Sequence, residues 1–156
     1  MTKYAIAYFS QTNTTKREAD QLGKALGVDL VAISPKQPYS ASDVDWTDDN
    51  SRVNQEHNDP SIRPEINPVD LGDYDVLFLG YPTWWGVAPN LINTFIESQD
   101  LDGKTIVPFT TSASSGAEEG GQALKQALPG VDVRDAKRTN GMSADQLAQW
   151  VKQLGL

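Results

Sequence analysis

Short apolar runs alternate with amphipathic stretches along this chain. Lys3 to Ser10 is rich in β-forming types and is broken by Gln11-Thr12-Asn13-Thr14-Thr15, which predicts a strand followed by a loop. From Thr15 to Leu26, the residues Ala19, Leu22, Ala25 and Leu26 recur at helical spacing among charged side chains, and Gly27 supplies a stop. Val28 to Ile33 reads as a second strand closed by Ser34-Pro35. Pro38 to Pro68 is polar and aperiodic, with aspartates scattered through it, and reads as one long connection. A connection of that length is functional, mobile or the host of a short helix. Its aromatic residues, Tyr39 and Trp46, either cover a site or, the commoner case, pack on their own loop.

Order returns at Tyr74 to Tyr81, whose Val76-Leu77-Phe78-Leu79 run suits a strand buried on both faces. Pro89 to Ile96 predicts a helix with proline near its start. Thr105 to Thr110 predicts a fourth strand, Glu118 to Leu128 a helix, Val131 to Val133 a short fifth strand, and Ala144 to Leu154 a terminal helix. Strands alternating with helices give an α/β fold, a parallel sheet covered on both faces by right-handed crossovers. Ligands of such sheets bind at the carboxyl ends of the strands. The loops beginning at Ser10, Tyr81 and Thr111 are therefore the ones to search for chemistry.

With 156 residues, one domain spanning 1–156 is expected. A net charge of −8 opposes binding to nucleic acid, which requires a Lys/Arg surface. The absence of cysteine excludes disulfides, thiol nucleophiles and cysteine-held clusters, so any redox chemistry must come from a cofactor. The start Met1-Thr2-Lys3-Tyr4 has no signal core, and no apolar run approaches the length that crosses a bilayer, so the expected location is the cytoplasm.

The first loop, Ser10-Gln11-Thr12-Asn13-Thr14-Thr15, sets hydroxyls and amides between a strand and a helix N-terminus. Free N–H groups and the positive end of the helix dipole stabilise an anion there, and hydroxyls donate without a buried counter-charge. A single helix cap would need only one such residue. The motifs G-x-G-x-x-G and G-x-x-x-x-G-K-S/T are absent, which opposes a dinucleotide or triphosphate site. The second loop, Gly80-Tyr81-Pro82-Thr83-Trp84-Trp85-Gly86, carries adjacent tryptophans, at least one of which should be displayed for a flat ring to stack on. The third, Thr111-Ser112-Ala113-Ser114-Ser115-Gly116, is small and polar, so a ligand edge can approach its backbone. Together the loops describe a ligand with a phosphate, a flat ring and hydrogen-bonding ring edges.

These stretches resemble the flavodoxins over nearly the whole chain. Ser10 to Thr15 matches that family's phosphate loop, Ser/Thr-x-Thr-Gly-x-Thr, with Asn13 in place of glycine. The run from Tyr74-Asp75 to Gly86 is similar to the loop that seats the isoalloxazine ring, and Thr111 to Gly116 to the second ring-binding loop. The resemblance implies a flavodoxin-like three-layer sandwich, a five-stranded parallel sheet of order 2-1-3-4-5 with helices on both faces, and an uninterrupted fifth strand as in short-chain members. It implies FMN as cofactor, held by Ser10, Gln11, Thr12, Asn13, Thr14, Thr15, Pro82, Thr83, Trp84, Trp85, Gly86, Thr111, Ser112, Ala113, Ser114 and Gly116. The extended segment with Ile62-Arg63-Pro64-Glu65-Ile66 resembles one branch of the family.

The function so implied is low-potential, single-electron transfer between redox partner proteins, a reductase and an electron acceptor, with basic docking surfaces that suit an acidic carrier. Asn13 is expected at positive φ, which asparagine tolerates. The alternative is an NAD(P)H-dependent FMN or quinone reductase on the same fold, which needs room above the ring for a nicotinamide. A receiver-type regulatory domain shares the sheet order but needs an acidic cluster after the first strand, and Ser10 to Thr15 holds no acid. The one histidine, His57, is expected to be a solvated loop residue rather than a general base.

Overall fold

The computed structural model describes residues 2–112 and 116–156. Its elements run β1 (Tyr4–Tyr8), α1 (Thr14–Leu26), β2 (Leu30–Ala32), α2 (Arg52–Asn58), β3 (Val76–Pro82), α3 (Asn90–Ser98), β4 (Thr105–Thr111), α4 (Glu118–Ala127), β5 (Asp132–Val133), β6 (Lys137–Arg138) and α5 (Ala144–Gln153). The strands form one parallel sheet of order β2-β1-β3-β4-β5, with β6 as a further segment beside β4. This is the expected flavodoxin-like α/β fold. Tyr8 lies opposite Gly80, and Pro82 opposite Thr111, so the central strands end together and their following loops emerge at one rim.

The pleat divides the core into two layers. Ala5, Ala7, Leu77, Leu79 and Tyr81 pack with Leu91, Ile92, Phe95 and Ile96 of α3, Leu124 of α4 and Val53 of α2. Ile6, Tyr8, Val76, Phe78, Val107 and Phe109 face the other way, onto Ala19 and Leu22 of α1 and Leu147, Trp150 and Val151 of α5. Helix α1 ends at Gly27, whose N–H donates to the Gly23 carbonyl at 2.8 Å and whose φ of 70° turns the chain so that the Val28 N–H reaches the same carbonyl at 3.2 Å.

The expected uninterrupted fifth strand is corrected: two short segments occupy that position. Asp132 and Val133 pair with Thr105 and Ile106, whereas Lys137 and Arg138 pair with Phe109 and Thr110. Three residues, 134–136, therefore face two in β4, as in a bulge. The Arg134 N–H donates to the Ile106 carbonyl (2.8 Å) and the Thr139 N–H to the Thr110 carbonyl (2.9 Å). Even-numbered residues of β4 thus face this side, and Pro108, between them, has no N–H to extend the ladder.

The long connection is also more structured than its composition suggests. It contains α2, capped by the Ser51 side chain, which accepts from the Asn54 N–H. Residues 34–36 and 65–67 meet in an antiparallel bridge, Lys36 N–H donating to the Glu65 carbonyl (2.9 Å) and Asn67 N–H to the Ser34 carbonyl (2.8 Å). Among the described residues, no helix is long and apolar enough to cross a membrane.

Gly80 is required by packing rather than by backbone freedom. It lies opposite Phe109 in the β3–β4 register, and a Cβ there would run into the Phe109 ring. Gly80→Ala should therefore destabilise the protein by about 1–3 kcal/mol through overpacking. A fall in the denaturant midpoint, with an unchanged slope, checks this.

Candidate functional site

The first loop turns on Asn13, which adopts φ 65° and ψ 0° as expected of a glycine substitute. Its side chain makes no cap hydrogen bond, while its carbonyl accepts from the Arg17 N–H at 3.0 Å and so begins α1. Ser10 Oγ accepts from the Lys16 N–H at 3.1 Å. The N–H groups of Thr14 and Thr15 in the first turn have no acceptor among the described residues. The Thr12 and Thr14 hydroxyls stand 3.3 Å apart beside them, Thr12 exposed and Thr14 half-buried. Neutral donors at a helix N-terminus are the chemistry that suits an anion.

Thr15 is placed differently from its neighbours. It is 1% exposed, and its hydroxyl bonds Thr111 Oγ1 at 2.7 Å, which fastens the first loop to the end of β4. Gln11 Nε2 donates to the Tyr39 carbonyl at 3.2 Å, tying the same loop to the long connection. Lys16 is exposed and pairs with Asp20 across one helical turn at 3.4 Å.

The second loop is a two-residue hairpin. Trp84 and Val87 exchange backbone hydrogen bonds of 2.8 and 3.1 Å, and the intervening Trp85 and Gly86 have φ of 50° and 84°. Positive φ at both positions defines the tight turn whose twist matches a hairpin. For the tryptophan this conformation costs roughly 1–2 kcal/mol. Trp84 is half-buried, with Phe9 and Tyr39 edge-on against it at 5.8 and 5.6 Å between ring centroids. Trp85 is 40% exposed and stacks on His57 at 4.5 Å, with the planes 19° apart. His57 accordingly lies on α2 as an exposed partner of this hairpin. Among the described residues, no group of acidic or imidazole side chains is arranged to hold a metal.

The third loop leaves β4 at Thr111 and is gripped at Ser112. The Ser112 N–H donates to Asn140 Oδ1 (3.0 Å), and Arg138 donates from Nε to Ser112 Oγ (3.0 Å) and from Nη2 to its carbonyl (2.9 Å). Ala113 and Ser114, also expected at the site, lie outside the described residues, and Gly116 is exposed. The Gly141 N–H donates to buried Glu18 Oε1 at 3.0 Å, which anchors the 139–141 turn to α1. Burial holds the Glu18 carboxyl above its ordinary range.

Gln11 and Thr12 of the first loop and Pro82 to Trp85 of the second line one cavity of about 360 Å³. That volume lies within the range of small-molecule sites. The rest of the wall is Val44, Trp46 and Val53, all from the long connection; of these only Trp46 stood out in the sequence as a possible cover, and it lines the cavity instead of packing on its own loop. Tyr39, buried beside Trp84, donates from its hydroxyl to Glu56 Oε1 at 2.6 Å. Arg52 Nε donates to the other Glu56 oxygen at 3.0 Å, and its guanidinium lies 3.8 Å from the Tyr39 ring centroid. Burial and then the Glu56 carboxylate push the Tyr39 phenol far above its usual value, so it remains a donor. Only the Arg52–Glu56 spacing, one helical turn, carried a signal of this pairing.

Tyr39→Phe should leave Glu56 Oε1 buried without its donor. A stability loss of about 1–3 kcal/mol is expected, together with altered Trp84 emission as its edge-on neighbour loosens. Chemical denaturation and tryptophan fluorescence read the two effects.

Comparisons with known proteins agree with this fold. The chain is similar, at 42% identity and a TM-score of 0.96, to a candidate flavoprotein from Bacteroides eggerthii DSM 20697, over 100% of this chain and 99% of that one. A second candidate flavoprotein, from Bacteroides uniformis ATCC 8492, is 39% identical with a TM-score of 0.91, covering 97% and 98% of the two chains. A flavoprotein in complex with FMN from Lactobacillus acidophilus NCFM shares the fold at 20% identity and a TM-score of 0.75, over 97% of this chain and 99% of that one. No curated protein matches. The family model described as Flavodoxin matches residues 3–154, and the chain belongs to the flavodoxin family.

Proposed function

We propose that this protein binds FMN and carries single electrons between redox proteins. The observation that carries the reading is the meeting, at one sheet rim, of a neutral donor-rich loop and a tryptophan-walled cavity. Thr14 and Thr15 offer N–H groups with no acceptor among the described residues, and exposed Thr12 lines the cavity directly. These residues fit a ligand with a terminal phosphate at one end and a flat ring at the other. The Lactobacillus acidophilus relative, similar in fold, was crystallised with FMN.

When bound, FMN supplies reversible one- and two-electron chemistry. The chain's own part is to bind, orient and shield it. Thr12, Thr14 and the first turn of α1 hold the phosphate, and Asn13 gives the loop its left-handed bend. Pro82 to Gly86 place the ring, with Trp84 set in orientation by Phe9 and Tyr39. Gly86 lets the hairpin backbone pass Glu119, where a Cβ would meet that carboxylate. The net charge of −8 disfavours accumulating further negative charge on a bound ring, and it suits partners with basic docking surfaces. The expected setting is the cytoplasm, with a reductase as donor and a second protein as acceptor.

Binding and redox measurements test this. Flavin taken up by the apoprotein and then released should chromatograph as FMN, and Thr12→Val should weaken FMN binding several-fold while leaving riboflavin binding unchanged. Asn13→Gly should bind FMN nearly as well as the parent, whereas Asn13→Val, which opposes positive φ, should bind it less well. Recovery of FAD, or no uptake of flavin, contradicts the cofactor. Anaerobic reductive titration should proceed in two resolved one-electron steps, with slow reduction by NAD(P)H alone. Reduction by NAD(P)H within turnover times, in a single two-electron step, assigns the protein to the reductases instead.

A further inference from the structure

Trp46 is the most exposed large apolar side chain among the described residues, at 71%. A lone exposed apolar residue needs no explanation, but two features set this one apart. Its backbone is tied down. Asn54 Nδ2 donates to the Trp46 carbonyl (3.0 Å) and the Asp48 carbonyl (2.7 Å), and Asp45 Oδ1 accepts from both the N–H (3.0 Å) and the hydroxyl (2.5 Å) of Thr47. The turn therefore presents an indole to solvent on a fixed main chain. The same indole lines the cavity that Gln11 and Thr12 share with the Trp84-Trp85 hairpin.

We propose that Trp46 is a binding residue for the flavin ring. The long connection contributes it, with Val44 and Val53, as a second apolar surface, so that the ring is enclosed between this surface and the hairpin while the first loop holds the phosphate. The proposal rests on the FMN reading above and goes beyond it by assigning the ring contact to a segment outside the three strand-end loops. A ligand anchored at Thr12 and Thr14 reaches the cavity without leaving protein, because Thr12 belongs to both. An indole has two side-chain torsions, so ordering it on a fixed backbone costs little entropy, and stacking removes two large apolar faces from water. That gain explains why a tryptophan stands in a turn otherwise made of Ser, Thr, Asp and Asn.

The test titrates apoprotein of the parent, Trp46→Ala and Trp46→Phe with FMN and with riboflavin, following flavin fluorescence. Trp46→Ala should weaken both flavins by a common factor, about tenfold, because the ring is common to both. The saturated complex should also retain more flavin emission, and Trp46→Phe should recover most of the affinity and quenching. The thermal midpoint of the apoprotein should not move, since the side chain is exposed. Parental affinity and quenching in Trp46→Ala overturn the proposal, as does a loss confined to FMN, which would place Trp46 at the phosphate. Failure of the parent protein itself to take up either flavin overturns the FMN reading beneath it, and is seen before any variant is compared.

Discussion

Threonine hydroxyls at the carboxyl end of the sheet hold this site together. Thr15 bonds Thr111, Thr83 bonds Thr110, and Thr110 also donates to the Tyr81 carbonyl at 2.8 Å. The Thr83 N–H extends the β3–β4 ladder by donating to the Thr111 carbonyl at 2.8 Å. These bonds join the roots of all three loops where β1, β3 and β4 end. A hydroxyl buried in such a place must be paired, since an unmet donor in low dielectric is costly, and each pairing fixes the relative position of two loops. Threonine suits both duties: its branched Cβ favours a strand, and its hydroxyl sews one strand end to the next.

On this base the loops accept local strain. Asn13 and Trp85 both occupy the left-handed region, one bending the backbone ahead of a helix N-terminus and the other closing a hairpin. Such conformations persist where the surroundings over-determine them. For Trp85 the surroundings are the His57 ring and the reciprocal hydrogen bonds of the turn. Trp84, which is not in that region, is flanked by Phe9 and Tyr39, and Tyr39 is held in turn by Glu56 and Arg52. The long connection thus stiffens the aromatic wall from outside the sheet.

Electrostatics follow the same economy. In a chain with a net charge of −8 the first loop is free of carboxylates and lined by neutral donors, so its local field comes from backbone dipoles and hydroxyls. Lys16 is turned toward Asp20, and Arg138 is engaged with Ser112, where it braces the third loop.

Fold class and the hydroxyl character of the first loop were legible in the sequence, because they rest on local properties, whereas the strand order was implied by the resemblance to the flavodoxins. Both faces of Val76 to Leu79 are apolar, Gly27 can stop a helix, and asparagine can stand where glycine usually does. The split fifth strand was not legible, since it depends on which neighbour Pro108 faces and not on Pro108 alone. A short helix in the long connection was one of the open readings, but the position of α2 escaped because seven residues give too little periodicity to separate from a polar loop. The partners of Trp46, Tyr39 and Glu56 escaped for a related reason, although the two aromatic residues stood out as possible covers. Their roles arise from contacts between segments distant in the chain, and only the folded chain brings those segments within reach. The sequence by itself determined which rim of the sheet would carry the chemistry; the tertiary structure decided which side chains stand around it, because close packing depends on distances that no residue encodes alone.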